Sequence, residues 1–308
     1  MTLQQLEYIL AVDKHRHYMR AAEECHISQS TLSSMILKLE TELGVEIFDR
    51  TAHPTRPTDI GQKIIDQAKV VLYNARQLEM VPSNEKIRSY GTINIGIIPT
   101  IASYIVAKLI KQIQIEHNEI QFHIQELTTT EILSKFKSAE IDMAVMSTPL
   151  EKSDLLEIPI YYEKFVIYTS PNDPMHQKIK ISPQDLSLTN LWMLKEGHCF
   201  RNQVFNFCEQ TTQYTSIYDA GNIHTLVQIV DKNGGYTLLP ELHIEMLTDA
   251  QKANVRRLTD PEPVREVSLV VRNDFIQERI LNDVAATIKH VIPESMIDGR
   301  LKKFAIKL

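Results

Sequence analysis

The first 58 residues carry the hydrophobic spacing of short helices, and no stretch there alternates as a strand does. Between residues 3 and 10, leucine and isoleucine recur at three- and four-residue intervals, which predicts a first helix. A second helix is predicted over Met19–Cys25. Ser28 would cap a third helix that starts at Gln29, and Gly44 suits its end. Helix, short turn and helix together predict a helix-turn-helix unit.

The third helix divides into an apolar face and a polar face. Its predicted buried stripe is Leu32, Ile36, Leu39 and Leu43. The polar face carries hydroxyls, an amide and a lysine, with no acidic residue from Ser28 to Lys38, and such side chains reach base edges and phosphates without repelling them. A merely solvated helix face is the alternative. The candidate DNA-binding residues are Gln29, Ser30, Thr31, Ser33, Ser34 and Lys38, together with Arg50 and Arg56 in a wing-like segment.

Beyond residue 58 the pattern changes twice. An apolar stripe from Thr58 to about Met80 predicts a long helix, which would pair with its twin in a dimer or pack on its own domain. Pro82 predicts a break into a hinge that runs to about Gly91. Strands are then predicted at 92–98, 120–127, 141–146, 163–169, 191–194, 214–219, 236–239 and 267–272, and helices at 101–115, 131–139, 222–231 and 275–291.

Alternating strands and helices over some 200 residues predict an α/β sheet domain, and its size allows two lobes with a ligand cleft between them. The fold class predicted from the sequence is therefore α/β multidomain, with three parts. They are a winged helix-turn-helix domain at 1–58, a linker helix and hinge at 59–90, and a two-lobed α/β regulatory domain at 91–308.

Composition narrows the class of protein. The chain has 308 residues and a formal net charge of −6, so any DNA affinity must come from where the basic residues lie and not from bulk charge. It has no apolar run of membrane-spanning length and no secretory signal at its start. We therefore expect a cytoplasmic protein with no membrane partner. We also expect no cofactor and no metal, because phosphate-binding loops and metal-ligand clusters are absent from the sequence.

Three cysteines, Cys25, Cys199 and Cys208, are too few for an extracellular disulfide framework. Cys25 lies in the helix-turn-helix, where we expect core packing. The other two are nine residues apart, a spacing that fits no common metal motif. If the segment between them is helical, their Cα atoms lie roughly 13 Å apart. A disulfide needs roughly 4.4–6.8 Å, so bonding Cys199 to Cys208 would require the segment to unwind.

The N-terminal segment resembles the winged helix-turn-helix of LysR-type transcriptional regulators. The matching residues are Ala21-Ala22, Ile27-Ser28-Gln29, Leu32-Ser33, Leu39-Glu40, Leu43-Gly44 and Phe48-Asp49-Arg50. The order of the three predicted parts is also that family's, so the resemblance covers the whole chain. It implies a periplasmic-binding-protein-like regulatory domain, a homodimer or homotetramer, and a non-enzymatic regulator. It also implies double-stranded promoter DNA and RNA polymerase as partners.

Within that family, the cysteine segment resembles members that sense hydrogen peroxide and activate antioxidant genes. The matching residues are Gly197-His198-Cys199, Arg201, Gln203 and Phe207-Cys208. The resemblance implies that peroxide oxidises Cys199 to a sulfenic acid and that Cys208 then condenses with it. The peroxide pocket implied by the resemblance consists of Thr100, Thr129, His198 and Arg201. A helix that opens at Cys199, with Arg201 nearby, would favour the reactive thiolate.

Two other functions are compatible with parts of the sequence. A regulator that senses a small metabolite in the cleft would carry its cysteines incidentally and would respond fully without them. A thiol enzyme, such as a peroxidase, is disfavoured because the chain has no Cys-x-x-Cys motif and carries a predicted DNA-reading domain.

Overall fold

A computed structural model describes residues 1–84, 91–116, 120–150, 152–186, 190–208, 218, 220–260 and 262–305. The chain forms two compact units, each described by itself below. The first comprises Met1–Ile87 with Ser134–Glu140, and the second comprises Arg88–Leu133 with Ile141–Leu308. We call them the N-terminal unit and the C-terminal unit.

The N-terminal unit is a winged helix-turn-helix followed by a long helix, as predicted. Its elements are α1 (Leu3–His15), α2 (Tyr18–Glu24), α3 (Gln29–Leu43), β1 (Phe48–Asp49), β2 (Arg56–Pro57) and α4 (Asp59–Asn84). Strands β1 and β2 pair antiparallel and form the wing.

The ends of α3 follow from two residues that the sequence singled out. The Ser28 hydroxyl accepts the Thr31 N–H at 3.2 Å, which satisfies one of the free amides of the first turn. Gly44 ends the helix with a left-handed φ of 70°. Leu32 is fully buried, but Leu43 is 40% exposed, so its place in the predicted stripe was wrong. It is the last residue of the helix, where the domain core no longer covers the side chain.

Helix α4 packs very closely on the base of the wing. A Cβ added to Gly61 would lie 1.9 Å from the Ile47 carbonyl oxygen, so only glycine allows this approach. The helix continues through Pro82 to Asn84, and the predicted break at Pro82 was therefore wrong. A proline is tolerated within the last turn of a helix, because few backbone hydrogen bonds of the helix follow it. Residues 85–90 of the predicted hinge lie outside the described residues.

The remaining part of the chain alternates strands and helices. Its strands are β3 (Gly91–Ile97), β4 (Ile120–Glu126), β5 (Met143–Thr148), β6 (Leu155–Thr169), β7 (Lys180–Ile181), β8 (Tyr236–Pro240), β9 (Val255–Leu258) and β10 (Val264–Arg272). Its α-helices are α5 (Pro99–Glu116), α6 (Thr129–Lys137), α7 (Cys199–Cys208), α8 (Ile223–Asn233), α9 (Asp249–Lys252) and α10 (Glu278–Val291). Short 3-10 helices cover Pro174–Gln177, Pro183–Asp185, Glu241–Met246, Glu294–Met296 and Gly299–Phe304.

One long strand joins two sheet regions and creates the two lobes. The first ten residues of β6, up to Lys164, pair with β10, which continues through β5 and β3 to β4. From Phe165 onward the same strand pairs with β8 and, beside it, with β9, which in turn pairs with β7. The predicted two-lobed α/β domain is confirmed, and Glu163 lies where β6 passes from one sheet region to the other.

Two strand predictions need correction. The sequence prediction began β6 at Glu163, whereas the strand starts at Leu155. Pro159 argues against a strand in the first half of β6, because proline is uncommon inside strands. It is tolerated here because the pairing with β10 shifts register at this point, as at a β-bulge. The predicted strand at 191–194 is wrong, since Leu191 and Leu194 make only isolated bridges. The predicted strand at 214–219 lies almost wholly outside the described residues.

None of the helices in the described ranges is long and apolar enough to cross a membrane.

Candidate functional site

Cys199 lies at the start of α7 in a buried position. Its exposed fraction is 5%, and its thiol is free. Its backbone N–H donates to the Thr129 hydroxyl at 3.4 Å, which brings this predicted pocket residue to the start of α7. The turn before it depends on Gly197, which has a left-handed φ of 91°. A Cβ added to Gly197 would lie only 3.1 Å from the Thr130 hydroxyl oxygen. Because Cys199 is the first residue of a helix, the amide dipoles there favour an anion.

His198 is buried beside Cys199 and has an unused hydrogen-bonding atom. Its exposed fraction is 4%, and its Nε2 has no hydrogen-bond partner in the part of the chain that the structure describes. Burial lowers the pKa of His198, and the positive charge of Lys195 lowers it further. The ring is therefore neutral at neutral pH, and Nε2 can exchange a hydrogen bond with a small polar molecule.

Gln203 was not among the predicted site residues, although it belongs to this site. It is fully buried, and within the described ranges neither its amide oxygen nor its amide nitrogen has a hydrogen-bond partner. Buried amides are normally hydrogen-bonded, so this one points to a polar group that belongs beside it. The sequence held a signal: Gln203 follows Cys199 by four residues, which places both on one face of a helix.

Arg265 is the second functional residue that sequence reasoning missed. It is fully buried, and its guanidinium pairs with the buried carboxylate of Glu163 at 2.7 Å. Two further donations reach Thr100, at 2.8 Å to its hydroxyl and 3.1 Å to its carbonyl. The guanidinium carbon also lies 5.7 Å from the centre of the Phe200 ring. Arg265 thereby links Thr100, on α5, to the residue that follows Cys199.

Two tyrosines complete this buried network. Tyr104 donates to Glu163 at 2.8 Å, and its oxygen lies 2.7 Å from that of Tyr161. Burial and the Glu163 charge raise the pKa of both phenols, so they remain protonated donors. Burial has the largest single effect and opposes the charge on Arg265, but Glu163, Tyr104 and Tyr161 together outweigh it and raise the guanidinium pKa.

The other predicted pocket residues take different positions. Thr100 is 1% exposed, and its hydroxyl accepts a hydrogen bond from Arg265. Arg201 is half-buried and donates to the Leu194 carbonyl at 3.0 Å, which anchors the first turn of α7. Cys208 ends α7, and its side chain lies outside the described residues. Ten helical residues hold the Cα atoms of Cys199 and Cys208 about 13 Å apart.

His243 gives the C-terminal unit a specific pH dependence. Burial, with His224 and Arg265 nearby, lowers its pKa to about 4 from 6.5. Between these values the unfolded chain takes up a proton that the folded chain does not, so stability present above pH 6.5 is lost as the pH falls toward 4. We expect a loss of about 3 kcal/mol, and His198 contributes in the same direction.

Urea unfolding at several pH values, followed by Trp192 fluorescence, measures this loss. The chain has one tryptophan, so the signal reports the C-terminal unit. His243→Gln should remove most of the loss between pH 6.5 and 4, whereas the exposed His290 offers a matched control in His290→Gln. An unchanged pH profile in His243→Gln would contradict the assignment.

Most of the predicted DNA-contacting residues are exposed on α3 or in the wing of the N-terminal unit. Ser33 is half-buried, and the exposed ones on α3 are Gln29, Ser30, Thr31, Ser34 and Lys38. Arg56 is exposed in β2 of the wing. Arg50 is 45% exposed and pairs with Glu40 at 2.8 Å. The other oxygen of the buried Glu40 accepts the N–H groups of Ile47 and Phe48, so this carboxylate ties the wing to α3.

Comparison with known families identifies the architecture. Residues 3–62 match the bacterial regulatory helix-turn-helix protein family, lysR type. Residues 88–292 match the LysR substrate binding domain. The chain belongs to the LysR family. No group of three or more potential metal-ligating side chains gathers anywhere in the described part of this LysR-family protein.

Several proteins similar to this LysR-family chain are named hydrogen peroxide-inducible genes activator or OxyR. It is 31% identical to the hydrogen peroxide-inducible genes activator of Haemophilus influenzae, over 97% of this chain and 99% of that protein. A full-length C199D variant of OxyR from Pseudomonas aeruginosa superposes with a TM-score of 0.77 at 32% identity, covering 94% of this chain and 98% of that one. An H2O2-bound mutant of Corynebacterium glutamicum OxyR gives a TM-score of 0.63 at 26% identity, covering 94% and 92%.

Proposed function

We propose that this LysR-family protein is a transcription activator that senses hydrogen peroxide through a reversible disulfide between Cys199 and Cys208. One observation carries the proposal. The buried Cys199 at a helix start is preceded by His198 and followed one turn later by Gln203, whose Nε2 and side-chain amide have no hydrogen-bond partner among the described residues. Hydrogen peroxide is small, and it both donates and accepts hydrogen bonds, so it suits such a site. The names of the relatives support the same function.

The first chemical step would be attack of the Cys199 thiolate on one peroxide oxygen. The O–O bond breaks, the sulfur becomes a sulfenic acid, and the other oxygen leaves as hydroxide and takes up a proton to become water. Thr129 and Thr100 would orient the peroxide from the starts of α6 and α5. Neutral His198 would accept a hydrogen bond from it.

The second step would join the two cysteines. The Cys208 thiol displaces the sulfenic oxygen of Cys199 as water, and a sulfur–sulfur bond forms. Because α7 holds the two Cα atoms about 13 Å apart, and a disulfide needs at most about 6.8 Å, α7 must unwind. Unwinding would release Arg201 from Leu194 and remove Phe200 from Arg265.

The unwinding would change contacts between regulatory domains and reposition the DNA-reading helices on promoter DNA. We propose a homotetramer as the responding assembly and RNA polymerase as the partner recruited, as the family resemblance implies. An equilibrium between two arrangements, biased by one local bond, is a common way to couple distant sites.

A thiol count by mass spectrometry tests the proposal. Reduced full-length protein is treated with one equivalent of hydrogen peroxide, trapped with an alkylating agent and digested. We expect a single Cys199–Cys208 disulfide to form rapidly. The same bond should form in Cys25→Ser, the matched control, and should be absent from Cys199→Ser. If both thiols stay free in the unsubstituted protein, the proposal fails, and a metabolite that binds in the cleft becomes the signal to seek.

A further inference from the structure

Leu37 lies on α3 among hydroxyl-bearing residues. Leu37 is 50% exposed. Single exposed leucines are common on protein surfaces, so exposure alone has no functional meaning. The position of Leu37 on the helix is more informative.

Helix geometry places Leu37 on the ridge that points away from the domain core. Successive residues turn by about 100°, so Leu37 lies within about 60° of Ser30 and Ser34, which are both exposed. The buried stripe of Leu32, Ile36 and Leu39 is centred about 180° from this ridge. In a helix-turn-helix, the outward ridge of the second helix is the surface that enters the major groove.

The surroundings of Leu37 favour DNA as the molecule that covers it. No acidic residue lies between Ser28 and Leu39, and the next one, Glu40, is buried and paired with Arg50. Lys38, beside Leu37, is exposed and available to a phosphate. Ser30 and Leu37 are about 10 Å apart along the axis, which corresponds to about three base-pair steps.

A leucine at this place can make only one kind of favourable contact with base edges. It cannot donate to or accept from a base, and it cannot bind a phosphate. The apolar group that base pairs present in the major groove is the C5-methyl of thymine. We propose that Leu37 reads the 5-methyl group of one thymine in each half-site of the DNA. This inference rests on the DNA-binding domain and is independent of peroxide sensing.

Deoxyuridine provides the direct test, since it differs from thymidine only by that methyl group. Reduced full-length protein first selects its preferred duplex from a random double-stranded pool. Each thymine of that duplex is then replaced singly by deoxyuridine, and the dissociation constants are compared. We expect one replacement per half-site to weaken binding about fourfold, the effect of one buried methyl group.

Substitutions at Leu37 test whether its side chain causes the loss of affinity for the deoxyuridine duplex. Leu37→Ala should bind the thymine and deoxyuridine duplexes within about twofold of each other, whereas Leu37→Met should keep the discrimination. Leu43→Ala is the matched control, because Leu43 is 40% exposed on the same helix but off this ridge, and it should also discriminate. The proposal is overturned if no replacement affects the unsubstituted protein beyond about twofold. It is equally overturned if Leu37→Ala retains the discrimination, or if the selected duplex has no thymine in its half-sites.

Discussion

Cys199→Ser is expected to abolish the transcriptional response to hydrogen peroxide while leaving DNA binding intact. A serine hydroxyl is not oxidised by peroxide, so neither the sulfenic acid nor the disulfide can form. Cys199 donates a hydrogen bond to Thr129 through its backbone N–H, and serine retains that group and nearly the same volume. A reporter gene assay with and without peroxide measures the response, and we expect induction to fall to the untreated level.

DNA affinity and two further variants complete this test. The dissociation constant of reduced Cys199→Ser for its promoter duplex should stay within about twofold of the unsubstituted protein. Cys25→Ser should respond normally, because Cys25 lies in the N-terminal unit. Cys208→Ser should form the sulfenic acid without the disulfide and lose sustained activation. A full response by Cys199→Ser would refute the peroxide mechanism and favour a metabolite signal.

Local sequence signals predicted the helical elements well, because their ends depend on neighbouring residues. Ser28 and Gly44 terminate α3 through hydrogen bonds and backbone geometry within one turn. The start of α7 at Cys199 agrees with the helix that was expected to open there. The same local signals failed to predict the first half of β6, which contains Pro159. A proline is acceptable in this strand only where the neighbouring strand β10 accommodates a bulge. That condition comes from a partner more than a hundred residues away.

The buried network could not be predicted for the same reason. Nothing in the local sequence distinguishes Arg265 from other charged residues at the start of a strand. Its burial depends on Glu163, which is opposite it in the β6–β10 pairing, and on Thr100 at the start of a helix 165 residues earlier. The Thr100 prediction found a residue of the site, but only the fold supplies the arginine that holds its hydroxyl.

Arg265→Met should strongly destabilise the C-terminal unit, because it leaves the Glu163 carboxylate charged, fully buried and without its ion-pair partner. We expect the free energy of unfolding to fall by about 3–5 kcal/mol, the range for breaking one partner of a buried pair. The substitution also removes the donors to Thr100 and to Tyr104. Urea unfolding followed by Trp192 fluorescence gives the value for this unit.

Two comparisons separate loss of the ion pair from loss of side-chain volume. Adding Glu163→Gln to Arg265→Met removes the unpaired charge while an amide oxygen can still accept the Leu242 N–H, so stability should partly return. Breaking the exposed pair of Lys180 and Asp260, with side chains 46% and 76% exposed, by Lys180→Met should leave the free energy of unfolding almost unchanged. If Arg265→Met costs no more than that surface control, the buried network does not hold the two lobes together at β6 and β10. A large cost that the added Glu163→Gln relieves would instead identify the unpaired carboxylate as its cause. Thr100 and Phe200, which both contact Arg265, would then owe their positions to one buried ion pair.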